Sequence, residues 1–228
     1  MQIIRDTNPP GSHLYSFAES VDFLRAVGRG GQPSTLRMYQ PAPNVAFGRR
    51  DELNTRFSTA QQACKDYGFV PQVRPVGGHA AAYHSGCLII DHFQADADAV
   101  SGNMKRFTEF GQMFTDSLRT LDVQAQMGEI EGEYCPGEHS VHILLPDGTP
   151  TKIIGTAQRV VAGAWWFSTG IVVTNSEPLR DVTTAVYRNL GLPLKPSTVG
   201  ALTDANPLIA IEDVEDAVLE SLNQRGYC

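Results

Sequence analysis

Three short segments hold side chains whose types and spacing suit catalysis. The first is Arg74-Pro75-Val76-Gly77-Gly78-His79-Ala80-Ala81-Ala82-Tyr83-His84. Paired glycines after a strand permit positive φ and let a backbone come close to a ligand. The Arg74 guanidinium is a rigid fork of donors suited to a carboxylate or phosphate. The same residues would also make a tight turn leading into a strand of small residues. The second segment is Glu133-Tyr134-Cys135-Pro136-Gly137-Glu138-His139-Ser140. A cysteine before Pro-Gly sits at a turn, where a thiol can be exposed, and a cysteine nucleophile needs a stabilised thiolate or a nearby base. An incidental buried cysteine is the alternative. The third is Lys152-Ile153-Ile154-Gly155-Thr156-Ala157-Gln158-Arg159. A lysine on a strand before a glycine can point into a cleft, and a desolvated lysine can act as a base or polarise a carbonyl. On its own it reads first as an ordinary surface lysine of a hairpin.

Other chemistries lack their signatures. The six histidines and the acids show no H-E-x-x-H or similar metal spacing. There is no G-x-S-x-G elbow. Gly28-Arg29-Gly30-Gly31 lacks the Gly-Lys-Ser/Thr that completes a phosphate loop. The formal net charge of −7, with no clustered Lys and Arg, argues against nucleic acid as a partner. Glu212-Asp213-Val214-Glu215-Asp216 reads as a solvated helix face. No apolar run is long enough to span a membrane, and the start of the chain does not read as a secretory signal. Cys64, Cys87, Cys135 and Cys228 form no C-x-x-C pair and read as cytosolic thiols, so a cytoplasmic location is expected.

The elements that must position these segments follow from periodicity. Leu14 to Val27 has the apolar spacing of an amphipathic helix, as does Asn103 to Leu121, whose Met104, Phe107, Phe110, Phe114 and Leu118 read as core. A helix should run from Ser58, a candidate N-cap, to near Gly68. Leu36 to Tyr39, Val45 to Phe47, Val70 to Val73, Leu88 to Ile90 and Ala164 to Thr174 read as strands. Val141 to Leu145 and Lys152 to Ile154 form a hairpin around Pro146-Asp147-Gly148-Thr149. Leu179 to Leu190 and Glu212 to Asn223 close the chain as helices. Strands, hairpins and helices in this order indicate an α+β fold. With no repeat and no linker, all 228 residues are expected to form one domain.

Taken in order, the segments resemble the biotin/lipoate ligase and octanoyltransferase superfamily. Arg74 to His84 resembles its Arg…Gly-Gly-Gly…Tyr/Phe-His stretch, and Lys152 to Arg159 its K-x-x-G-x-A-Q-R segment. Tyr39 to Asp51 is similar to its early strand–turn–strand. Tyr134-Cys135-Pro136-Gly137 and Leu194 to Leu202 look most like the cysteine-dependent octanoyl and lipoyl amidotransferases. Two features depart from the pattern. His79 stands where ATP-using ligases have a third glycine, so its side chain would intrude on an acyl-adenylate, and the stretch from Cys135 to Lys152 is longer than usual. No room remains for the C-terminal accessory domain of many ligases.

The resemblance implies a biotin/lipoate ligase-like fold, with mixed β-sheets flanked by helices. It implies transfer of an octanoyl or lipoyl group to the lysine of a lipoyl-domain protein. The partners would be the glycine-cleavage H protein, a 2-oxoacid dehydrogenase E2 or an acyl carrier protein. Cys135 would form a thioester acyl-enzyme, and Lys152 would deprotonate the thiol or the incoming amine and steady the oxyanion. A free lysine has a pKa of about 10.4, so an acceptor amine needs such a base. Arg74, Gly77, Gly78, His79, Tyr83, His84, Gly155, Thr156, Ala157 and Gln158 would bind substrate, the glycines lining an apolar tunnel. No metal or nucleotide is required on this route. The alternatives are an ATP- and Mg-dependent lipoate ligase, with Cys135 a bystander, and a non-catalytic lipoyl-binding protein.

Overall fold

A computed structural model describes residues 1–6 and 8–227, so Cys228 lies outside the described residues. The fold is α+β. Seven strands form a mixed sheet in the order β1–β2–β6–β10–β9–β8–β7. These are β1 (Gln2–Arg5), β2 (Thr35–Tyr39), β6 (Cys87–Ala95), β7 (Ala125–Met127), β8 (Val141–Leu144), β9 (Pro150–Val161) and β10 (Ala164–Val172). A second sheet has the order β4–β3–β5, from β3 (Asn44–Phe47), β4 (Val70–Val73) and β5 (Ala81–Tyr83). The helices are α1 (Phe17–Gly28), the single turn α2 (Arg49–Glu52), α3 (Phe57–Asp66), α4 (Asn103–Arg119), α5 (Ser176–Leu190) and α6 (Ile211–Gln224).

Successive strand residues point to opposite faces, and the two faces of the large sheet are dressed differently. One face carries Leu36, Met38, Leu88, Ile90, Ile154, Phe167 and Ile171, which form the main core with Phe110, Phe114 and Leu118 of α4 and Val214, Val218 and Leu222 of α6. On the other face, Phe93, Ala164 and Trp166 hold Val21, Leu24 and Val27 of α1. The rest of that face looks toward the small sheet. There β9 and β10 place Gly155 opposite Gly170 and Ala157 opposite Ser168. Four small residues in register clear a trough. The small sheet turns Asn44, Ala46, Gln72 and Tyr83 toward it. Its other face packs Val45 and Phe47 against Ala60 and Cys64 of α3 and Val182 and Val186 of α5. The site is therefore an interval between two sheets, with Gly155, Ala157 and Ser168 on one wall and the Tyr83 ring lying over Gly170.

Several expectations change in detail. Ser58 is not the N-cap of α3; the helix starts one residue earlier, at Phe57, with Arg56 in the cap position and no side-chain cap bond. Asn54 Oδ1 instead accepts from the Arg56 N–H, so the preceding turn fixes the entry. Met104 does not join the core but is 61% exposed at the start of α4, while Phe110, Phe114 and Leu118 are buried as the spacing predicts. β9 is much longer than the short arm read from the sequence, because Gly155 and Ala157 continue it along β10. Within α6, Glu212, Asp213 and Asp216 are exposed while Val214 is buried, as a solvated acidic face requires.

Tyr83 lies directly over Gly170, where an added Cβ would collide with its ring. Gly170→Ala is expected to destabilise the protein by about 1–3 kcal/mol, the usual cost of overpacking, despite the roughly 0.5–1 kcal/mol gained by removing a strand glycine. A urea midpoint equal to that of the unsubstituted protein would show that this close approach is not a constraint.

Candidate active site

Cys135 sits in the loop between β7 and β8 with φ of +43°, one of three non-glycine residues described with positive φ. That region is uncommon for a side-chain-bearing residue and persists only where surroundings hold it. Here the holding is visible on both sides of the residue. Its N–H donates to Tyr187 Oη at 2.6 Å, and the Tyr187 hydroxyl donates to the Ala80 carbonyl at 3.0 Å. Its own carbonyl accepts from Lys152 Nζ at 2.8 Å. Lys152 also donates to the Tyr134 carbonyl at 3.0 Å and to Glu133 Oε1 at 3.3 Å. The same Glu133 oxygen accepts from the Ser140 hydroxyl at 2.6 Å and from the Gly137 N–H at 3.1 Å. The longer stretch between Cys135 and Lys152 thus does not separate the pair.

The Cys135 sulfur meets two donors. The Arg74 Nη2 group lies 3.3 Å from it and the His79 backbone N–H 3.2 Å from it. Gly78, at φ +93°, allows this approach, since a Cβ there would stand 2.5 Å from the sulfur. Arg74 Nη2 also donates to the His79 carbonyl at 2.7 Å. Two N–H groups aimed at one sulfur, one of them cationic, suit a thiolate. Burial works against the charge on Arg74, but Cys135, Tyr83 and Tyr187 together offset it, and the guanidinium pKa is raised. The Lys152 amine shifts the other way. Burial lowers its pKa below the ordinary lysine value, with Cys135 and Glu133 opposing the shift. Burial also pushes the Tyr83 hydroxyl up to about 12, so it keeps its proton at neutral pH.

The His79 ring does not intrude on the cleft. Its Nδ1 meets Asp51 Oδ1 at 2.6 Å, and Asp51 Oδ2 accepts from the Gly48 N–H at 3.0 Å. What His79 offers the site is its backbone. His84 is placed elsewhere: its Nδ1 accepts from the Gly86 N–H at 2.8 Å and its Nε2 bonds the Asn175 carbonyl at 2.9 Å. Both ring nitrogens serve the turn between β5 and β6, which corrects its assignment as a substrate residue. His142 is buried against the Gly128 carbonyl. His139 stacks on Phe107 at the rim.

Two hollows meet at this point. The trough between the sheets is a narrow cavity, whose far wall includes Leu14, Tyr15, Phe17 and Trp166. A wider cleft holds Cys135, Lys152, Gly77, Gly78 and Gln158. Arg74, Tyr83, Gly155, Thr156 and Ala157 line both. Gln158 is braced by Asn103 and Arg106, its Nε2 donating to the Asn103 carbonyl at 2.7 Å. The chemistry available is attack by a held thiolate on a carbonyl at the junction, with a chain lying in the cavity and a partner group entering by the cleft. Sequence reasoning missed the roles of Tyr187, Asp51 and Gly170. Tyr187 lies far along the chain inside a helix, and only the register of α5 brings it to Cys135.

Comparisons with known proteins give the family and the fold. Residues 13–223 match the model of the lipoyl protein ligase A/B catalytic domain. The chain is similar to a lipoyl-[GcvH]:protein N-lipoyltransferase of Listeria monocytogenes, 28% identical over 211 residues, covering 86% of this chain and 73% of that one. It is also similar to an octanoyl-[GcvH]:protein N-octanoyltransferase of Geobacillus kaustophilus, 26% identical over 65% of this chain, and spans half of that relative's length. The fold is shared with lipoate-protein ligase A bound with ATP, at a TM-score of 0.67 and 20% identity over 98% of this chain and 84% of that one. A bipartite lipoate protein ligase of Thermoplasma acidophilum superposes with a TM-score of 0.65 at 20% identity, over 98% and 82% of the two chains. The chain belongs to the lipoyl protein ligase A/B catalytic domain family.

The Arg74 contact predicts a selective effect on thiol reactivity. Cys64 and Cys87 are buried, with their thiols pushed up to about 12. Among the described cysteines, alkylation of the native protein by iodoacetamide at neutral pH should therefore fall on Cys135, read by peptide mapping in a Cys228→Ser background, and Arg74→Ala should slow it several-fold. An unchanged rate would mean that the guanidinium does not stabilise the sulfur.

Proposed function

We propose that this member of the family moves an octanoyl or lipoyl group from a donor to the lysine of a lipoyl-domain protein through a thioester on Cys135. The observation that carries the reading is the strained, doubly held Cys135, whose sulfur faces Arg74 and the His79 N–H where cavity and cleft meet. The names of the Listeria and Geobacillus relatives supply the acyl group and the donor class, an acylated H protein.

In the first half-reaction the thiolate attacks the acyl carbonyl and an oxyanion forms. Collapse breaks the carbon–nitrogen bond of the donor amide, and the departing amine takes a proton from Lys152. Splitting the exchange into two lower barriers is the gain of covalent catalysis. In the second, the acceptor lysine amine attacks the thioester and its proton returns to Lys152. The thiolate leaves, and one amide has replaced another. Burial that lowers the Lys152 pKa suits a group that must both give and take a proton. Arg74 and the backbone N–H of His79, which face the sulfur, would steady the oxyanion that forms beside it. Arg74, Tyr83, Gly155, Thr156 and Ala157 guide the chain from cleft to cavity, and Gly77, Gly78 and Gln158 border the entrance of the acceptor.

An acyl group leaving one lysine amide for another needs no nucleotide to drive it. ATP is bound in the ligase that shares the fold. The residues here fit a triphosphate poorly. Of the cleft's charged residues, Arg74 and Lys152 are committed to the Cys135 loop and the third, Glu138, is an acid. The free thiols among the described cysteines are consistent with a cytoplasmic setting, which belongs to this proposal.

Incubation with octanoylated or lipoylated H protein, with ATP omitted, should add one acyl mass to the enzyme at Cys135. Cys135→Ala should carry none and transfer nothing. Labelling that persists in that variant, or transfer that needs ATP, would overturn the covalent route.

A further inference from the structure

The cavity that would hold the acyl chain has walls that are not uniformly apolar. Its polar side chains fall into two groups. Some are tied to the protein: Asn44 Nδ2 donates to the Ala42 carbonyl at 2.8 Å, and the Ser168 hydroxyl donates to Asp91 Oδ1 at 2.7 Å. Asp91 is itself paired with Arg37 and bonded by Trp166 Nε1, which closes the network behind the wall. Gln72 is different. It lines the same cavity, and its Oε1 is shut off from solvent with no hydrogen-bond partner among the described residues. A buried amide oxygen left unpaired is costly, so this one calls for a donor from whatever fills the cavity, water or ligand.

Its place along the chain path narrows the choice of ligand. Gln72 is two residues before Arg74, which touches the sulfur. Two strand residues correspond to about 7 Å and return to the same face. The Gln72 amide therefore stands deeper in the cavity than the reacting carbonyl. A plain octanoyl chain has no polar atom at that depth. A lipoyl chain carries its two sulfurs in its outer half. The unpaired atom is an acceptor, and the S–H groups of the reduced, dihydrolipoyl chain can donate to it where an alkyl chain offers nothing. We propose that Gln72 is a specificity-determining residue that favours a reduced lipoyl over an octanoyl group, by offering the sulfur-bearing end an acceptor that no side chain of the cavity satisfies. This rests on the transfer reading above and names which of its two acyl groups is preferred.

The test compares dihydrolipoylated and octanoylated H protein as donors to an E2 lipoyl domain under reducing conditions, taking the ratio of kcat/KM values for the two. The unsubstituted enzyme should favour lipoyl. Gln72→Leu and Gln72→Met, which keep the volume and remove the polar atoms, should shift the ratio about tenfold toward octanoyl, since octanoyl no longer leaves an amide unpaired. Gln72→Glu should depress octanoyl further. A ratio unchanged in a folded Leu or Met variant that still transfers both groups would overturn the role of Gln72. So would an unsubstituted enzyme that favours octanoyl. Absence of transfer from either donor in the unsubstituted enzyme would instead defeat the transfer reading itself.

Discussion

A buried ammonium must find an acceptor for each of its hydrogens, and Lys152 finds all three on consecutive residues, Glu133, Tyr134 and Cys135. The rest of the site depends on that constraint. Three bonds from one rigid strand fix a loop that would otherwise be free. They hold the carbonyl of Cys135 on one side while Tyr187 holds its N–H on the other. Between the two, the residue is kept at a positive φ that turns its sulfur toward Arg74 and His79. Removing one partner from a buried, bonded charge costs roughly 3–5 kcal/mol, so the clamp is expected to be as much structural as catalytic.

The clamp also resolves a tension in the chemistry. A lysine that saturates its donors is a poor base, and a lysine that is free is a poor brace. Burial lowers the Lys152 pKa, so the charged form that does the bracing is held against a cost. Glu133 gathers the Ser140 hydroxyl, the Gly137 N–H and the Lys152 ammonium on one oxygen, which ties the loop's exit to its entry. Its bond to Lys152 is the longest of the three, and it is the one most easily released when the amine changes protonation.

The second constraint is steric. Gly155, Ala157, Ser168 and Gly170 lie in register across β9 and β10, and nothing else about the large sheet would leave a trough there. These residues interrupt an otherwise bulky surface built of Trp166, Phe93 and Ile89. The small sheet closes the trough without filling it, because Ala46 and Asn44 face inward where Phe47 and Val45 face the helices. A chamber and a thiol are thereby delivered to the same end of the molecule by different elements.

Much of this was legible in the sequence, and the failures have physical causes. By residue type alone, Gly77-Gly78, Cys135 and Lys152 also read as a tight turn, an incidental cysteine and a hairpin lysine, and it was their order, resembling the superfamily's, that set them apart. The amphipathic helices announced themselves through spacing. Side-chain direction did not. His84 and His79 share a segment with Arg74, but their rings turn to Asn175 and Asp51, partners that spacing does not reveal. Tyr187 reads as one more apolar helix residue until α5 is docked. Gly170 reads as a weak point in a strand until Tyr83 lies over it. The central claim, that the acyl group rests on Cys135 between donor and acceptor, is tested most directly by a single-turnover chase. The isolated acyl-enzyme is mixed with an unmodified lipoyl domain and quenched over time. The account predicts that acyl lost from Cys135 appears stoichiometrically on the acceptor lysine. Thioester that only hydrolyses, leaving the acceptor unmodified, would contradict it.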